Sequence, residues 1–314
     1  MALRDRASGT TGAERRPLAG VVAAGASVVV WGASSVLIKQ VHGVSGVAIS
    51  FHRLWIGALL TGTAFLLSGG RYTRRLLRLS LPGGAAFALD ICLFFTAVRE
   101  TSVANATVIG ALQPVLILAI ARRLFGERPG LVEAFWSCVA IAGAVIVVVG
   151  GSGGGDASRR GDLLAAAALV AWTWYFVASK RARVELSSFE YLAGLSLVAT
   201  VVVTPVVLLS GERIAVPETS GWVTIVAIAV INGALGHFLM NWAHGHVPIV
   251  VTSLMTLAIP VFATASAAIF IDEPVTIAQV AGMVVVIGSL AVVVSRTSRE
   301  MPVVAPPADP LPEP

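Results

Sequence analysis

From Leu18 to Ser295, apolar residues come in long runs broken by short clusters of charge, glycine and proline. A helix rising about 1.5 Å per residue needs about 20 residues to cross bilayer hydrocarbon, where its backbone groups must be satisfied within the segment. The pattern predicts ten such helices, at 18–38, 46–68, 82–98, 102–122, 131–150, 161–180, 188–209, 219–241, 247–269 and 275–295. Very short turns join the third to the fourth and the eighth to the ninth.

The ten runs divide into two related sets of five. "ALQPVLILAIARRLFGERP" from Ala111 and "TLAIPVFATASAAIFIDEP" from Thr256 place Pro114 and Pro260 146 positions apart, and Glu127 and Glu273 share that offset, as do Ala97 and Ala243. In the first helix of each set a tryptophan precedes a lysine by eight residues, Trp31 before Lys39 and Trp172 before Lys180. Correspondences that recur in order point to an internal duplication. Five is odd, so the copies enter the bilayer in opposite orientations. The expected fold is therefore all-α integral membrane, with ten transmembrane helices as an inverted 5+5 repeat. The halves are 18–150 and 161–295, joined by a linker at 151–160 and flanked by tails at 1–17 and 296–314, the last proline-rich.

Charge placement orients the chain. With the N-terminus and C-terminus both inside, 16 of the 22 Lys and Arg residues fall on the cytoplasmic side, the asymmetry expected of cytoplasmic loops. Helix 4 ends in Arg122-Arg123 and its counterpart, helix 9, ends in Asp272-Glu273, so similar sequences carry opposite flanking charge. The N-terminal "RDRASGTTGAERR" resembles the basic flank of a signal peptide, but with no cleavage pattern and many further spans, helix 1 reads as retained.

Composition narrows the class. The chain of 314 residues is 56% hydrophobic and 12% charged, against about 25% charged in soluble domains. The formal charge of +5 resides in loops and tails, which makes nucleic acid a poor partner. Cys92 and Cys138 both sit in apolar runs and suggest neither disulfide nor metal site. With no phosphate loop, nucleotide domain or ligand cluster, no cofactor is expected and ATP-driven transport by this chain alone is disfavoured.

Polar residues within the runs are the candidates for function. Asp90 carries an apparent insertion cost of roughly 2.5–3.5 kcal/mol at mid-bilayer and needs a wet cavity, a partner or a proton. His237 is a candidate for proton exchange; the repeat alignment sets it opposite Ile91, so it approaches Asp90 from the other half. Asn241 shares a face with His237 at i,i+4, whereas Asn232 is turned away by about 140° on an α-helix. Gln113 precedes Pro114 and can contact substrate or a freed carbonyl. Ser34, Ser35, Thr252, Ser253 and Thr256 can line the same cavity or serve as small helix-contact residues. Trp31, Trp172, Trp174 and Tyr175 offer an aromatic wall, with interfacial anchoring as the alternative; Trp222 reads as an anchor. Pro114 and Pro260 predict kinks at related depths. Arg53 is expected at the outer entrance of helix 2, where it can attract an anion, pair across the mouth or reach the headgroups. Glu133 and Glu190 begin helices and belong to the helix dipole.

Together these features resemble the drug/metabolite transporter superfamily, in its EamA-type ten-helix branch. The resemblance rests on Trp31-Gly32 followed by Lys39, on Phe51-His52-Arg53, on "ALQPV", on Gly126-Glu127 and on "AIPVFATASAAIFIDEP". It implies two five-helix repeats, a central cavity lined mainly by helices 1, 3, 4, 6, 8 and 9, and peripheral helices 5 and 10 available for homodimer contact. It also implies a secondary transporter, not an enzyme, in the cell inner (cytoplasmic) membrane. Such a protein would export a small metabolite, amino acid or amphipathic compound by alternating access, with membrane lipid around it and proton coupling open. A channel or passive facilitator is the alternative; an intramembrane enzyme lacks a motif.

Overall fold

The computed structural model describes residues 17–34, 37, 41, 44–100, 103–127, 130–151, 158–209, 218–270, 272 and 274–300. Ser35, Lys39, Arg128, Glu273 and most of both tails lie outside the described residues. The helices are α1 (Pro17–Ala33), α2 (Gly46–Leu67), α3 (Arg74–Glu100), α4 (Val103–Gly110 and Gln113–Phe125), α5 (Leu131–Gly151) and α6 (Arg159–Ala182). They continue with α7 (Ser188–Leu209), α8 (Thr219–Ala227, Ile228–Gly236 and His237–His244), α9 (Ile249–Met255, Thr256–Ala258 and Ile259–Phe270) and α10 (Ile277–Glu300). Among the described residues there is no strand, nine segments are long and apolar enough to cross a membrane, and Leu18–Ala33 is a shorter apolar helix. Large apolar side chains such as Leu131, Ile277 and Val284 stand exposed on the periphery, the surface that lipid covers in a multi-pass membrane protein.

Several predicted boundaries are corrected. The third helix begins at Arg74 rather than at residue 82. The hydroxyl of Thr73 accepts from Leu76 N at 3.1 Å, an N-terminal cap, and the basic turns that follow stay helical through Pro82. The first helix runs from Pro17 to Ala33, and residues 35, 36 and 38 of the predicted span lie outside the described residues. Gly151 and the Arg159-Arg160 pair, assigned to the linker, belong to α5 and α6. The tenth helix runs from Ile277 to Glu300 rather than over 275–295. α7 starts as predicted: Ser187 N donates to Glu190 Oε2 at 2.8 Å and Ser187 Oγ accepts from Glu190 N at 3.2 Å, a capping box.

The larger correction concerns the prolines. Helix 4 is not one kinked helix: it stops at Gly110, turns at Ala111-Leu112 and restarts at Gln113 with Pro114 in its first turn. There the missing N–H has no intrahelical partner to lose. α9 breaks in the same register, tightening to a 3₁₀ turn at Thr256–Ala258 and restarting at Ile259 with Pro260 second. The two prolines therefore begin half-helices.

Packing follows the duplication. α2 packs on α7, α4 on α9 and α5 on α10; α3 lies against α6 and α7, and α8 against α1 and α2. This exchange of partners is what two similar five-helix halves produce. The α5–α10 contact is backbone-close: a Cβ on Gly282 would lie 2.8 Å from Gly143 O and 2.9 Å from Val147 N. Gly282→Val is expected to destabilise the protein by about 1–3 kcal/mol, read as a lowered unfolding midpoint in detergent.

Candidate functional site

His237 begins the last segment of α8 and is the hub of a buried polar chain. Arg53 Nη2 lies 3.2 Å from His237 Nε2, Tyr175 Oη lies 2.9 Å from His237 Nδ1, and Tyr175 Oη donates to Asn241 Oδ1 at 3.3 Å. A guanidinium has only donors, so Nε2 accepts and Nδ1 carries the proton. The chain then has one direction, Arg53 to His237 to Tyr175 to Asn241, and His237 is held as a neutral tautomer. Aromatic rings frame it: Phe87, Trp31 and Tyr175 have centroids 4.5, 4.9 and 5.7 Å from the imidazole. Trp31 meets Trp172 edge-on at 5.6 Å, and Trp172 stacks on Tyr175 at 5.2 Å.

Beside this chain lies a cavity of about 200 Å³ lined by Trp31, Arg53, Phe87, Asp90, Ile91, Phe94, Trp172, Asn232, His237 and Ile259. A second, of about 250 Å³, shares Asp90, Phe94, Trp172 and Ile259 and reaches Gly110, Ala111, Thr256, Leu257 and Pro260. Both interrupted helices thus border it, and broken helices are tolerated at membrane depth where they line a cavity or are buried in protein. Arg53 and Asp90 are the charged residues of the first cavity, and none of the ion pairs among the described residues joins them. Opposite charges facing one space without touching leave room for a ligand between them.

The second segment of α8 explains how Asn232 reaches this space. Ile228–Gly236 is a π-helix, whose i→i+5 bonding sets residues five apart one turn apart. Asn232 and His237 therefore share the cavity wall, contrary to the α-helical expectation. The same stretch receives α1: Trp31 Nε1 donates to Asn232 O at 3.2 Å and Ser27 Oγ to Gly236 O at 2.8 Å.

One end of the molecule is sealed. On α6 the cavity residues end at Trp172 and are followed by fully buried Tyr175, Phe176 and Ser179; on α8 His237 is followed by buried Met240 and His244. Phe176 and His244 meet at 4.8 Å, Ser179 bonds Tyr191 at 2.9 Å, and Ser253 Oγ donates to Gln113 Oε1 at 2.6 Å between α9 and α4.

A model of the EamA-like transporter family matches residues 18–149 and 159–295. The chain belongs to the EamA-like transporter family. A solved crystal structure shares this EamA-like fold at a TM-score of 0.78 and 20% identity, covering 89% of this chain and 98% of that one. No curated protein matches. This EamA-like chain is accordingly a multi-pass membrane transporter of the drug/metabolite type.

The EamA-like fold gathers most of the expected residues and scatters some. Asp90, Trp31, Trp172, His237, Thr256 and Pro260 line the cavities; Tyr175 and Asn241 stand behind them in the polar chain. Gln113 lines neither cavity and bonds α9, Pro114 lines neither, and Ser34 Oγ donates to Val30 O within its own helix. Trp174 is 47% exposed, away from the cavities, while Trp222 packs on His52 at 4.9 Å. For Arg53 the structure favours the pairing alternative over the headgroups. The residue is buried, not reaching for headgroups, with its guanidinium over the Phe87 ring at 5.7 Å. Its position seven residues inside α2 was the available signal. Through Arg53, helix 2 joins the helices expected to line the cavity.

Proposed function

We propose that this protein is a secondary carrier of the inner (cytoplasmic) membrane. Its two halves are inverted around the cavity, with both termini inside, and it exports a small amphipathic metabolite or amino acid by alternating access. The observation that carries the reading is a pair of adjoining cavities: Arg53 and Asp90 bring opposite charges to the first, and Asp90 also lines the second, which the broken helices of both repeats border. Each repeat then contributes one half-helix hinge, and exchanging their shapes moves the opening from one side to the other. Arg53 takes the anionic group of the ligand, Asp90 a cationic or amino group, and the Trp31–Trp172 wall its apolar body. Since Arg53 fixes His237 as an acceptor, Asp90 is the group that exchanges a proton with the cycle.

Reconstitution into proteoliposomes with a metabolite mixture tests this. The expected result is saturable counterflow of one or a few compounds without continuous conductance, altered by a pH gradient. Conductance without counterflow would replace the carrier with a channel. Labelling near Arg123 and near Pro274 is expected from opposite sides of the membrane; labelling from one side would end the inverted arrangement.

A further inference from the structure

At the sealed end, one carboxylate joins the two repeats. α4 ends at Gly126, whose φ of 70° turns the chain back, a conformation glycine adopts without strain. The next side chain, Glu127, accepts from Ile249 N at 2.8 Å through Oε1 and from Val250 N at 3.2 Å through Oε2. These are the first two residues of α9, whose preceding residue, Pro248, supplies no side-chain cap. Lys180, in the last turn of α6, has its Nζ 3.9 Å from Glu127 Oε1 and also donates to Val247 O. The two side chains are only 16% and 18% exposed, so solvent screens the contact less than on an open surface. Both carboxylate oxygens are thus engaged, and three helix ends are held by one residue.

We propose that Glu127 is the latch of this end. Its carboxylate holds the start of α9 and the end of α6 against the end of α4 while the cavity is closed on this side, and it must let go before the cavity opens there. The proposal rests on the alternating-access reading and gives that cycle a specific contact to break. Cytoplasmic placement follows from that same reading, since α4 and α6 end and α9 begins on the inner side.

The test uses full-length protein with Cys92→Ser and Cys138→Ser and a reporter at Thr252→Cys, a buried position within the first segment of α9. The protein is reconstituted into phosphatidylcholine vesicles, and a membrane-impermeant maleimide is added to each side in turn. Glu127→Gln keeps one carbonyl acceptor and loses the charge; it is expected to speed labelling about tenfold from one side only. Glu127→Ala is expected to speed it further, and Lys180→Met less. Combining Glu127→Lys with Lys180→Glu is expected to leave labelling fast, because a lysine cannot accept the two α9 amide bonds. Unchanged labelling in Glu127→Ala, faster labelling from both sides at once, or recovery of slow labelling in the swapped pair would overturn the latch. Counterflow of the parent protein is measured separately: its absence alongside the expected labelling would remove the transport reading and leave the latch standing.

Discussion

Replacing Arg53 with Met is expected to reduce counterflow at least about 100-fold, the scale of one lost charge-assisted hydrogen bond in a buried site. Arg53 is the permanent cation among the residues lining the cavities. Its loss also strips His237 Nε2 of its 3.2 Å donor and leaves Asp90 without a neighbouring positive charge. Arg53→Lys keeps the charge but cannot reproduce the planar fork, so it should recover only a small part of the rate. A double-mutant cycle separates binding from folding. Because an uncompensated buried charge is what destabilises, adding Asp90→Asn to Arg53→Met should raise the unfolding midpoint above that of Arg53→Met alone, without restoring transport. Normal counterflow in Arg53→Met would remove this residue from the ligand site.

Asp90→Asn is expected to lower transport of an amine-bearing ligand about 100-fold and to flatten the response of counterflow to pH. The change is nearly isosteric, so packing against Phe94 and Trp172 around the two cavities is kept while the charge goes. Asp90 is the carboxylate among the residues lining them. The asparagine amide can still hydrogen-bond but neither attracts a cation nor exchanges a proton. Measured counterflow across a pH series decides it: full rate with the parent's pH response would show that Asp90 serves packing alone.

The periodicity of apolar runs made the architecture legible because membrane helices declare themselves by length, and the Pro114–Pro260 offset carried the duplication. What those prolines do was less legible. A proline is equally compatible with a mid-helix kink and with the first turn of a new helix, and only the backbone distinguishes the Ala111-Leu112 turn from a bend. The π-segment at Ile228–Gly236 is hidden because a stretch with a single polar residue, Asn232, has no periodicity to betray a wider turn, and α-helical spacing sets Asn232 on the wrong face. Arg53 stays undecided in the sequence because a long cationic side chain near a helix start can reach outward to headgroups or inward to a partner. The choice depended on His237, 184 residues away. Asn241 is legible as a polar group in an apolar helix and Tyr175 as part of an aromatic wall, but their order behind His237 needs three dimensions.

Ile259 lines both cavities and stands beside the break in α9, which makes it the direct probe of alternating exposure. In a background free of Cys92 and Cys138, Ile259→Cys is labelled with an impermeant thiol reagent from each side of the membrane, with and without transported ligand. Alternating access predicts modification from either side in turn, with ligand changing the balance. Modification from one side alone under every condition, in protein that still carries out counterflow, would contradict it.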